Sequence, residues 1–510
     1  VFPLPTGALV VGYNKADPAN VFNVDCRNVP LGWGQDGING PTPFLAKLTG
    51  EISPRYNNQT RPGNPELTTG GTLNSFNGLD QVYLPDGSSV SAFQTESPAK
   101  NLLWNVDLFN GDSILGLHRN SAMVKWNASG RKEWHIDFDY GYDAPPGHDH
   151  HYPVVDKPFA PGGDTRFRKI VVDSQGGIYL AGSVWGGPDS VAGQPKFLYP
   201  KSFVNNAYGG KCDSIPWPCF QKPGDPNHLK RVALSFILKY NNQGLFQWAK
   251  TYWGDTKNDQ GGIDIALTNG GNVVGNDTLL VMVSLSHTVN GLVGGQLVGG
   301  IGKASYNVGG TQLRVINNGA PGNPDNSSYN ANDRFSIIKH GNRFFVLKRN
   351  MGSNLKVDGI SVTGGGSSSS DVFVYELNPK TMLFFPRYTK ITLTNTQLNI
   401  AWNDYSKSPA NLHLIPRASS DGRAAFYLVG NCLSDKPIGQ KAEMTITGSN
   451  ISEPKRVIVE KQTSDTLSGI PFIVMLKENT IGTLTRNLIY DGITVKLEDQ
   501  IFDFNKKLGK

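Results

Sequence analysis

The stretch Ser235-Phe-Ile-Leu-Lys-Tyr-Asn-Asn-Gln-Gly-Leu-Phe-Gln-Trp248 aligns without gaps on Ser121-Ala-Met-Val-Lys-Trp-Asn-Ala-Ser-Gly-Arg-Lys-Glu-Trp134. Both stretches contain an apolar run, the motif Asn-x-x-Gly, and a second run that ends on tryptophan. Asn and Gly readily adopt the positive φ angles that a tight hairpin turn needs. This frame therefore predicts a β-hairpin, and eroded copies at 44–50, 373–380 and 472–479 predict further hairpins.

A second element alternates with the first along the chain. Residues 170–182 read as a strand, a turn at Asp-x-x-Gly and a returning strand; the copies are 265–273, 337–347 and 414–430, with a weaker copy at 108–116. Two such hairpins make one four-stranded unit, and six units begin near residues 7, 102, 167, 261, 333 and 411. Repeated four-stranded units build a β-propeller. We expect an all-β chain, residues 1–510, that forms a single propeller of six blades, with seven blades as the alternative.

The units are longer than the ~40–50 residues of a plain blade. We assign the excess to long loop insertions at approximately 15–43, 57–100, 139–166, 186–231, 288–332 and 435–468. Many of the 59 glycines lie at hairpin turns, whereas most of the 32 prolines lie in the insertions. Loops of this length and composition are usually mobile unless they pack against something. The insertions are therefore expected to pack on the propeller body or on neighbouring copies.

The two ends of the chain favour closure of the propeller. The first unit begins with a single apolar run, Ala8-Leu-Val-Val-Gly12, and residues 494–504 form an alternating pattern without a hairpin partner. A propeller often closes by pairing strands from both termini in one blade. Closure would bring Cys26 near Cys432, so we expect either a disulfide between them or two buried thiols.

Cys212 and Cys219 bracket a short segment with two prolines, which favours a local disulfide. None of the four cysteines forms a CxxC pair, so zinc-ribbon and thioredoxin-like sites are disfavoured. An even number of cysteines without metal-ligand spacing suits an oxidising compartment. A chain that begins at Val1 fits a mature secreted protein, and no apolar stretch approaches the ~20 residues that span a bilayer. We therefore expect a secreted, extracellular or cell-surface protein without a transmembrane segment.

Residues 236–273 resemble the bacterial β-propeller repeat family often called SBBP. The resemblance rests on Phe-x-x-Lys-Tyr-Asn-x-x-Gly-x-x-x-Trp, then Trp253-Gly254-Asp255, Asn258-Asp259, Ile265-Ala266 and Asn-Gly-Gly-Asn272; residues 170–182 resemble the same family. It implies a propeller that is usually extracellular or on the cell surface. It implies no catalytic residues, and the long insertions depart from its pattern.

The densest group of candidate metal ligands lies between residues 135 and 164. The residues are His135, Asp137, Asp139, His148, His150 and His151. Period 2 places the first three on one strand face, and the loop after them could bring imidazoles to the same divalent ion. The alternatives are an ordinary exposed loop and a histidine cluster that senses low pH. No other cofactor is indicated.

Three functions remain open from the sequence, and a non-enzymatic one is favoured. The leading expectation is an extracellular structural or adhesive protein that assembles through its insertions into homo-oligomers. The second is a secreted metal-assisted hydrolase or lyase with its site at the mouth of the propeller channel, although no catalytic residue is identified. The third is a carbohydrate- or protein-binding module that uses loop aromatics such as Trp33, Trp217 and Trp402. The net charge of +6 is not clustered, so nucleic acid is not an expected partner.

Overall fold

A computed structural model shows a chain whose described elements are all β-strands. It describes these strands and the turn and flanking residues 84, 86–88, 127, 173–177, 241–245, 268–269, 275–277, 308–311, 341–342, 358, 371, 378–383, 422–424 and 449. The chain forms two compact units: unit 1 is Val1–Ile263, Asn272–Asp277 and Val308–Gly310, and unit 2 is Asp264–Gly271, Thr278–Asn307 and Thr311–Lys510. No helix long and apolar enough to cross a membrane occurs among the described residues.

The strands of unit 1 are β1 (Phe2–Leu4), β2 (Gly7–Lys15), β3 (Pro41–Thr49), β4 (Pro54–Arg61), β5 (Phe76–Tyr83), β6 (Ser89–Glu96), β7 (Leu102–Leu103), β8 (Val106–Asp107), β9 (Arg119–Trp126), β10 (Lys132–Tyr142), β11 (Gly163–Val172), β12 (Ile178–Gly186), β13 (Ser190–Val191), β14 (Lys196–Val204), β15 (Ala207–Cys212), β16 (Ile215–Pro216), β17 (Cys219–Lys222), β18 (Asp225–Arg231), β19 (Leu234–Tyr240) and β20 (Phe246–Trp253). They pair antiparallel in the orders β1-β2-β3-β4-β7-β8, β15-β14-β10-β9-β6-β5 with β16 on β14, β11-β12-β19-β20, and β13-β18-β17.

The strands from there to the end of the chain, which belong almost entirely to unit 2, are β21 (Gly262–Leu267), β22 (Thr278–Leu285), β23 (Gly300–Asn307), β24 (Gln312–Asn317), β25 (Phe335–His340), β26 (Arg343–Arg349), β27 (Leu355–Val357), β28 (Ile360–Val362), β29 (Val372–Leu377), β30 (Phe384–Leu393), β31 (His413–Arg417), β32 (Ala425–Cys432), β33 (Lys441–Gly448), β34 (Lys455–Glu460), β35 (Ile470–Glu478) and β36 (Leu484–Arg486). Their orders are β21-β22-β23-β24, β25-β26-β29-β30-β33-β34, β27-β28 and β31-β32-β35-β36.

The all-β class is confirmed, and an antiparallel meander of four strands, the pattern of a propeller blade, recurs in both units. A count of six or seven four-stranded blades is not supported, because the sheets do not all end at four strands. The hairpin β33–β34, which lies within the predicted insertion 435–468, extends the sheet of β29 and β30 to six strands. An open sheet edge presents unpaired backbone groups, and an insertion can satisfy them by adding strands.

Two other predicted insertions contain strands of the meanders themselves. Range 57–100 contains the hairpin β5–β6, and range 288–332 contains the hairpin β23–β24. Their turns carry recognisable signals, Pro85-Asp86-Gly87 in the first and Tyr306-Asn307-x-x-Gly310 in the second. In the second, Asn307 Oδ1 accepts a hydrogen bond from the Thr311 amide at 2.8 Å, which is the turn chemistry of the repeated frame.

The predicted closure by terminal strands involves residues 494–504, which lie outside the described residues. Strand β2 pairs with β1 and β3 of its own sheet. Closure of the propeller and a single domain over residues 1–510 therefore stay predictions.

The cores follow the period-2 alternation of the strands. In unit 1, Ile178, Leu180, Phe236 and Leu238 are fully buried in one apolar cluster. In unit 2, strand β29 is buried along its whole length. Its Val372 and Val374 pack into one cluster, whereas Phe373, Tyr375 and Leu377 pack into another on the opposite face. A strand covered on both faces explains why this segment reads as a continuous apolar run.

The residues shared by the two copies of the repeated frame bind backbone carbonyl groups of turns in unit 1, and we call this contact the latch. Lys239 Nζ and Trp248 Nε1 both donate to the carbonyl oxygen of Val308, at 2.7 and 3.1 Å. In the other copy, Lys125 Nζ and Trp134 Nε1 donate to the carbonyl of Asn242, at 3.3 and 3.1 Å. Each accepting carbonyl lies in an Asn-x-x-Gly turn: Asn242 in the β19–β20 turn and Val308 in the β23–β24 turn.

The glycine of that turn packs flat against the tryptophan ring. Gly244 has φ +77°, and a Cβ added there would lie 2.9 Å from the Trp134 ring. At Gly310, with φ +84°, an added Cβ would lie 3.1 Å from the Trp248 ring. Glycine is therefore required both by backbone conformation and by the close approach of the ring.

We expect Gly244→Ala to lower the stability of unit 1 by roughly 1–2 kcal/mol more than Gly176→Ala. Both glycines have similar positive φ, but an added Cβ at Gly176 makes only an ordinary 3.6 Å contact with Asn242. The measurement is the thermal midpoint of both variants under identical conditions. Equal midpoints would show that the tryptophan contact does not constrain position 244.

Candidate functional site

Each four-stranded meander has two unlike ends. At one end, which we call the turn end, turns join the first strand to the second and the third strand to the fourth. At the opposite end, which we call the loop end, a longer segment joins the second strand to the third. Turn-end connections include 173–177, 241–245, 308–311, 341–342 and 378–383; loop-end connections include 187–233, 286–299, 350–371 and 433–469. Antiparallel pairing alone dictates that alternate connections share an end.

Within each unit the turn ends of neighbouring sheets meet. In unit 1, Trp134 Nε1 near the start of β10 donates to the carbonyl oxygen of Asn242, in the β19–β20 turn, at 3.1 Å. In unit 2, His340 Nε2 lies 2.9 Å from the carbonyl oxygen of Arg417, at the turn end of β31. The loop ends consequently also gather on one side within each unit. Chain that varies from blade to blade and carries function is expected there.

At the turn end of unit 1, the polar groups around Asp173 are satisfied by one another. Asp173 accepts hydrogen bonds from the amides of Gln175 and Gly177 and from the Tyr179 hydroxyl, the last at 2.9 Å. Lys239 Nζ lies 3.4 Å from the same carboxylate. Burial, together with the charge of Asp173, raises the pKa of Tyr179 well above its ordinary value. This cluster explains the Asp-x-x-Gly-x-Ile-Tyr motif at 173–179 as structural.

Unit 2 replaces the lysine latch with an arginine network. Glu376 precedes Leu377-Asn378 as Lys239 precedes Tyr240-Asn241, so a carboxylate takes the place of the ammonium. Arg343 donates two hydrogen bonds to Glu376, at 2.7 and 2.9 Å, and two to Glu478 of the β35–β36 sheet, at 2.7 and 2.8 Å. Arg387 also binds Glu376. One guanidinium thus joins two sheets by bidentate pairs.

The two carboxylates of this network are held ionised. Burial opposes the charge, but the hydrogen bonds of Arg343 and Arg387 outweigh it and lower the pKa of Glu376. Burial is likewise outweighed at Glu478, whose pKa is lowered by Arg343 and by the Ala424 amide, which donates at 2.9 Å. Carboxylates that stay ionised carry no proton to donate, so we assign the network a structural role in joining the two sheets.

A buried ion pair attaches the short hairpin β27–β28, which belongs to the loop-end connection 350–371, to the neighbouring sheet. Asp358 at its tip pairs with Lys303 of β23, and both side chains are fully buried. Asp358 also accepts a hydrogen bond from the Phe384 amide at 2.7 Å, and the Lys303 ammonium lies 4.2 Å from the centre of the Phe384 ring. Asp358 has φ +49°, a conformation that Asp tolerates better than most residues.

One carboxylate at the loop end is left without hydrogen bonds. Asp371, immediately before β29, is fully buried, and neither of its oxygens accepts a hydrogen bond. Lys390 Nζ lies 2.9 Å from Asp371 Oδ2, so the charges are paired although the hydrogen-bond geometry is not satisfied. The Lys390 side chain is 19 % exposed. No motif in the sequence marks Asp371, because its environment is created by the pairing of β29 with β30.

Two buried hydroxyls occupy a comparable place in unit 1. Ser183 of β12 and Ser235 of β19 are direct register partners near the loop end of their sheet. Both are fully or almost fully buried, and neither hydroxyl oxygen has a hydrogen-bond partner. Buried polar groups are normally paired, so these groups require a further explanation.

The predicted metal site falls largely outside the described residues. The strand predicted for His135, Asp137 and Asp139 is present as part of β10, but the side chains of these residues are not described. His148, His150 and His151 lie wholly outside the described residues. Within the described part of the chain, no group of three or more His, Cys, Asp or Glu residues could hold a metal ion. The predicted metal site stays a prediction.

The predicted disulfides and the predicted binding tryptophans also cannot be placed by the described side chains. Cys212, Cys219 and Cys432 lie on strands whose backbone is described without their side chains, and Cys26 lies outside the described residues, so the disulfides stay predictions. Trp33, Trp217 and Trp402 also lie outside the described residues.

No family model matches the chain, and no curated protein matches its sequence. Among solved structures, it is similar to the intramolecular trans-sialidase from Ruminococcus gnavus in complex with oseltamivir carboxylate, with TM-score 0.37, 11 % identity, and coverage of 80 % of this chain and 90 % of that one. It is also similar to a mutant of NanB sialidase from Streptococcus pneumoniae, with TM-score 0.37, 11 % identity, and coverage of 82 % and 67 %. At these scores the likeness supports no conclusion about activity.

We expect Arg343→Met to destabilise unit 2 by roughly 3 kcal/mol at neutral pH, because it removes the arginine bound to Glu478 and leaves Glu376 with Arg387 alone. The folded pKa values of Glu376 and Glu478 are lowered, so their stabilisation is present above the unfolded value of about 4.3 and is lost as pH falls below it. The difference between wild type and variant should therefore shrink in acid. Melting temperature measured against pH tests this.

The matched control is Arg314→Met, the same change at an exposed arginine of unit 2. It should cost under about 0.5 kcal/mol and leave the pH profile unchanged. A wild-type advantage over Arg343→Met that is constant across pH would contradict the role given to the two glutamates.

Proposed function

We propose that this chain is a propeller-type ligand-binding protein whose binding surface is built by the loop ends of its sheets. The observation that carries the proposal is topological: the long connections leave each meander at one end, while the opposite end is closed by shorter turns. Ser183, Ser235 and Asp371 lie near loop ends and have buried side-chain oxygens without hydrogen-bond partners; at the turn ends, Asn242 Oδ1 and Arg387 Nε are comparable atoms. Groups of this kind suit a ligand that supplies hydroxyls, and a carbohydrate is the class we favour.

The expected structural or adhesive role receives no support from the described residues, because connections gathered at one end favour a binding site over contacts spread around the rim. Location outside the cell and assembly with other copies remain part of the proposal. The hydrolase alternative is retained as an added activity at the same surface. Asp371 is its candidate carboxylate, and any bound glycan should be assayed for cleavage.

The proposal is tested by screening the full chain on a glycan array and measuring the affinity of each hit. The matched variants shorten one connection at each end. Residues 286–299 can be replaced by Asn-Gly, because Leu285 and Gly300 are register partners in β22 and β23. Residues 479–483 can be replaced in the same way, because Glu478 pairs with Leu484.

We expect the loop-end replacement to weaken binding by about tenfold or more, equivalent to ~1.4 kcal/mol, and the turn-end replacement to leave it unchanged. A silent array would reject the carbohydrate assignment. Loss of binding on the turn-end replacement alone would reject the loop end as the binding surface.

A further inference from the structure

We propose that Asp371 and Lys390 form a polar subsite that binds a neutral hydroxyl-bearing ligand, through a hydroxyl that donates to the carboxylate and accepts from the ammonium. This inference rests on the proposed function and assigns part of it to named residues. The pair lies at the loop end of the β29–β30 sheet, where β29 begins.

The first argument is the unmet hydrogen-bonding capacity of Asp371. A fully buried carboxylate normally accepts several hydrogen bonds, since its transfer out of water is costly. Asp371 accepts none, whereas Asp173 and Asp264, also buried, each accept at least two. Asp173 and Asp264 are therefore satisfied by hydrogen bonds, whereas Asp371 has an ion pair with Lys390 and open acceptor positions beside it.

The second argument concerns the kind of ligand. The Lys390 ammonium lies 2.9 Å from the carboxylate and would repel a metal cation bound to the same oxygens. The carboxylate would in turn repel an anion approaching Lys390. A hydroxyl group carries no charge and is both donor and acceptor, so it suits the pair better than either ion.

The third argument is access. Asp371 is fully buried, but the Lys390 side chain beside it is partly exposed. Lys390 also lies 5.9 Å from the centre of the Phe373 ring on the neighbouring strand. A change of the Lys390 rotamer is a small movement of the kind that commonly accompanies binding, and it is the step by which the proposed ligand would reach the carboxylate.

The test uses the full chain and neutral sugars as probes: glucose, galactose, mannose, lactose, maltose and cellobiose, together with the wild-type hits of the array. Binding is measured by calorimetry and by the rise in melting temperature. The variants are Asp371→Asn and the double variant Asp371→Asn with Lys390→Met, which removes both charges and so leaves no unpaired charge from the pair. Asp86→Asn, at a turn in unit 1, is the control.

We expect both variants to lose at least tenfold in affinity for the sugar that wild type binds, while Asp86→Asn retains it. The double variant should melt no lower than wild type, since a buried ion pair can be replaced without loss of stability. Wild-type affinity in the folded double variant would overturn the subsite and leave the proposed function standing. Failure of wild type to bind any of these probes would overturn the subsite together with the carbohydrate assignment. An Asp371-dependent shift with calcium chloride in place of sugar would overturn the subsite alone.

Discussion

A backbone carbonyl in one tight turn, held by a lysine and a tryptophan of the neighbouring sheet, is the contact on which the rest of unit 1 depends. The Asn-x-x-Gly turn presents the carbonyl, and its glycine lets the tryptophan ring lie directly against the backbone. A four-stranded sheet buries its faces only when another sheet covers them. The latch fixes the position of that cover, so the period-2 apolar faces can form a core between neighbouring sheets.

The position equivalent to Lys239 in unit 2 is Glu376, and it shows that a bond between the two sheets is needed there but that its chemistry can vary. A glutamate stands where the lysine stood, and an arginine from the adjacent strand supplies the positive charge that reaches the next sheet. Both solutions place a charged or polar bond across the turn ends of two sheets. The pairing is bidentate in unit 2, so its strength depends on ionised glutamates and hence on pH.

The turn ends hold these contacts, although Asn242 Oδ1 and Arg387 Nε are buried there without hydrogen-bond partners. At the loop ends, two serine hydroxyls and one aspartate are buried without hydrogen-bond partners. In the function proposed above, the contacts that join the sheets would lie at one end and ligand binding at the other. Substitution at the loop end can then alter recognition without disturbing the contacts that join the sheets.

The sequence by itself determined the all-β class, the hairpins, and the residues of the latch, because positive-φ turns and period-2 alternation are local properties of a few adjacent residues. It identified Lys239, Gly244 and Trp248 as a repeated set, but not the Val308 carbonyl that binds Lys239 and Trp248, nor the Trp134 ring that packs on Gly244. Insertions could not be separated reliably from sheet strands: β23, β24, β33 and β34 look like loop sequence until their partners are known, since an edge is filled by whichever segment reaches it. Asp371 carries no sequence signal at all. Only the tertiary structure placed it beside Lys390 and removed it from water, because burial and charge pairing arise from strands that are brought together by the whole sheet.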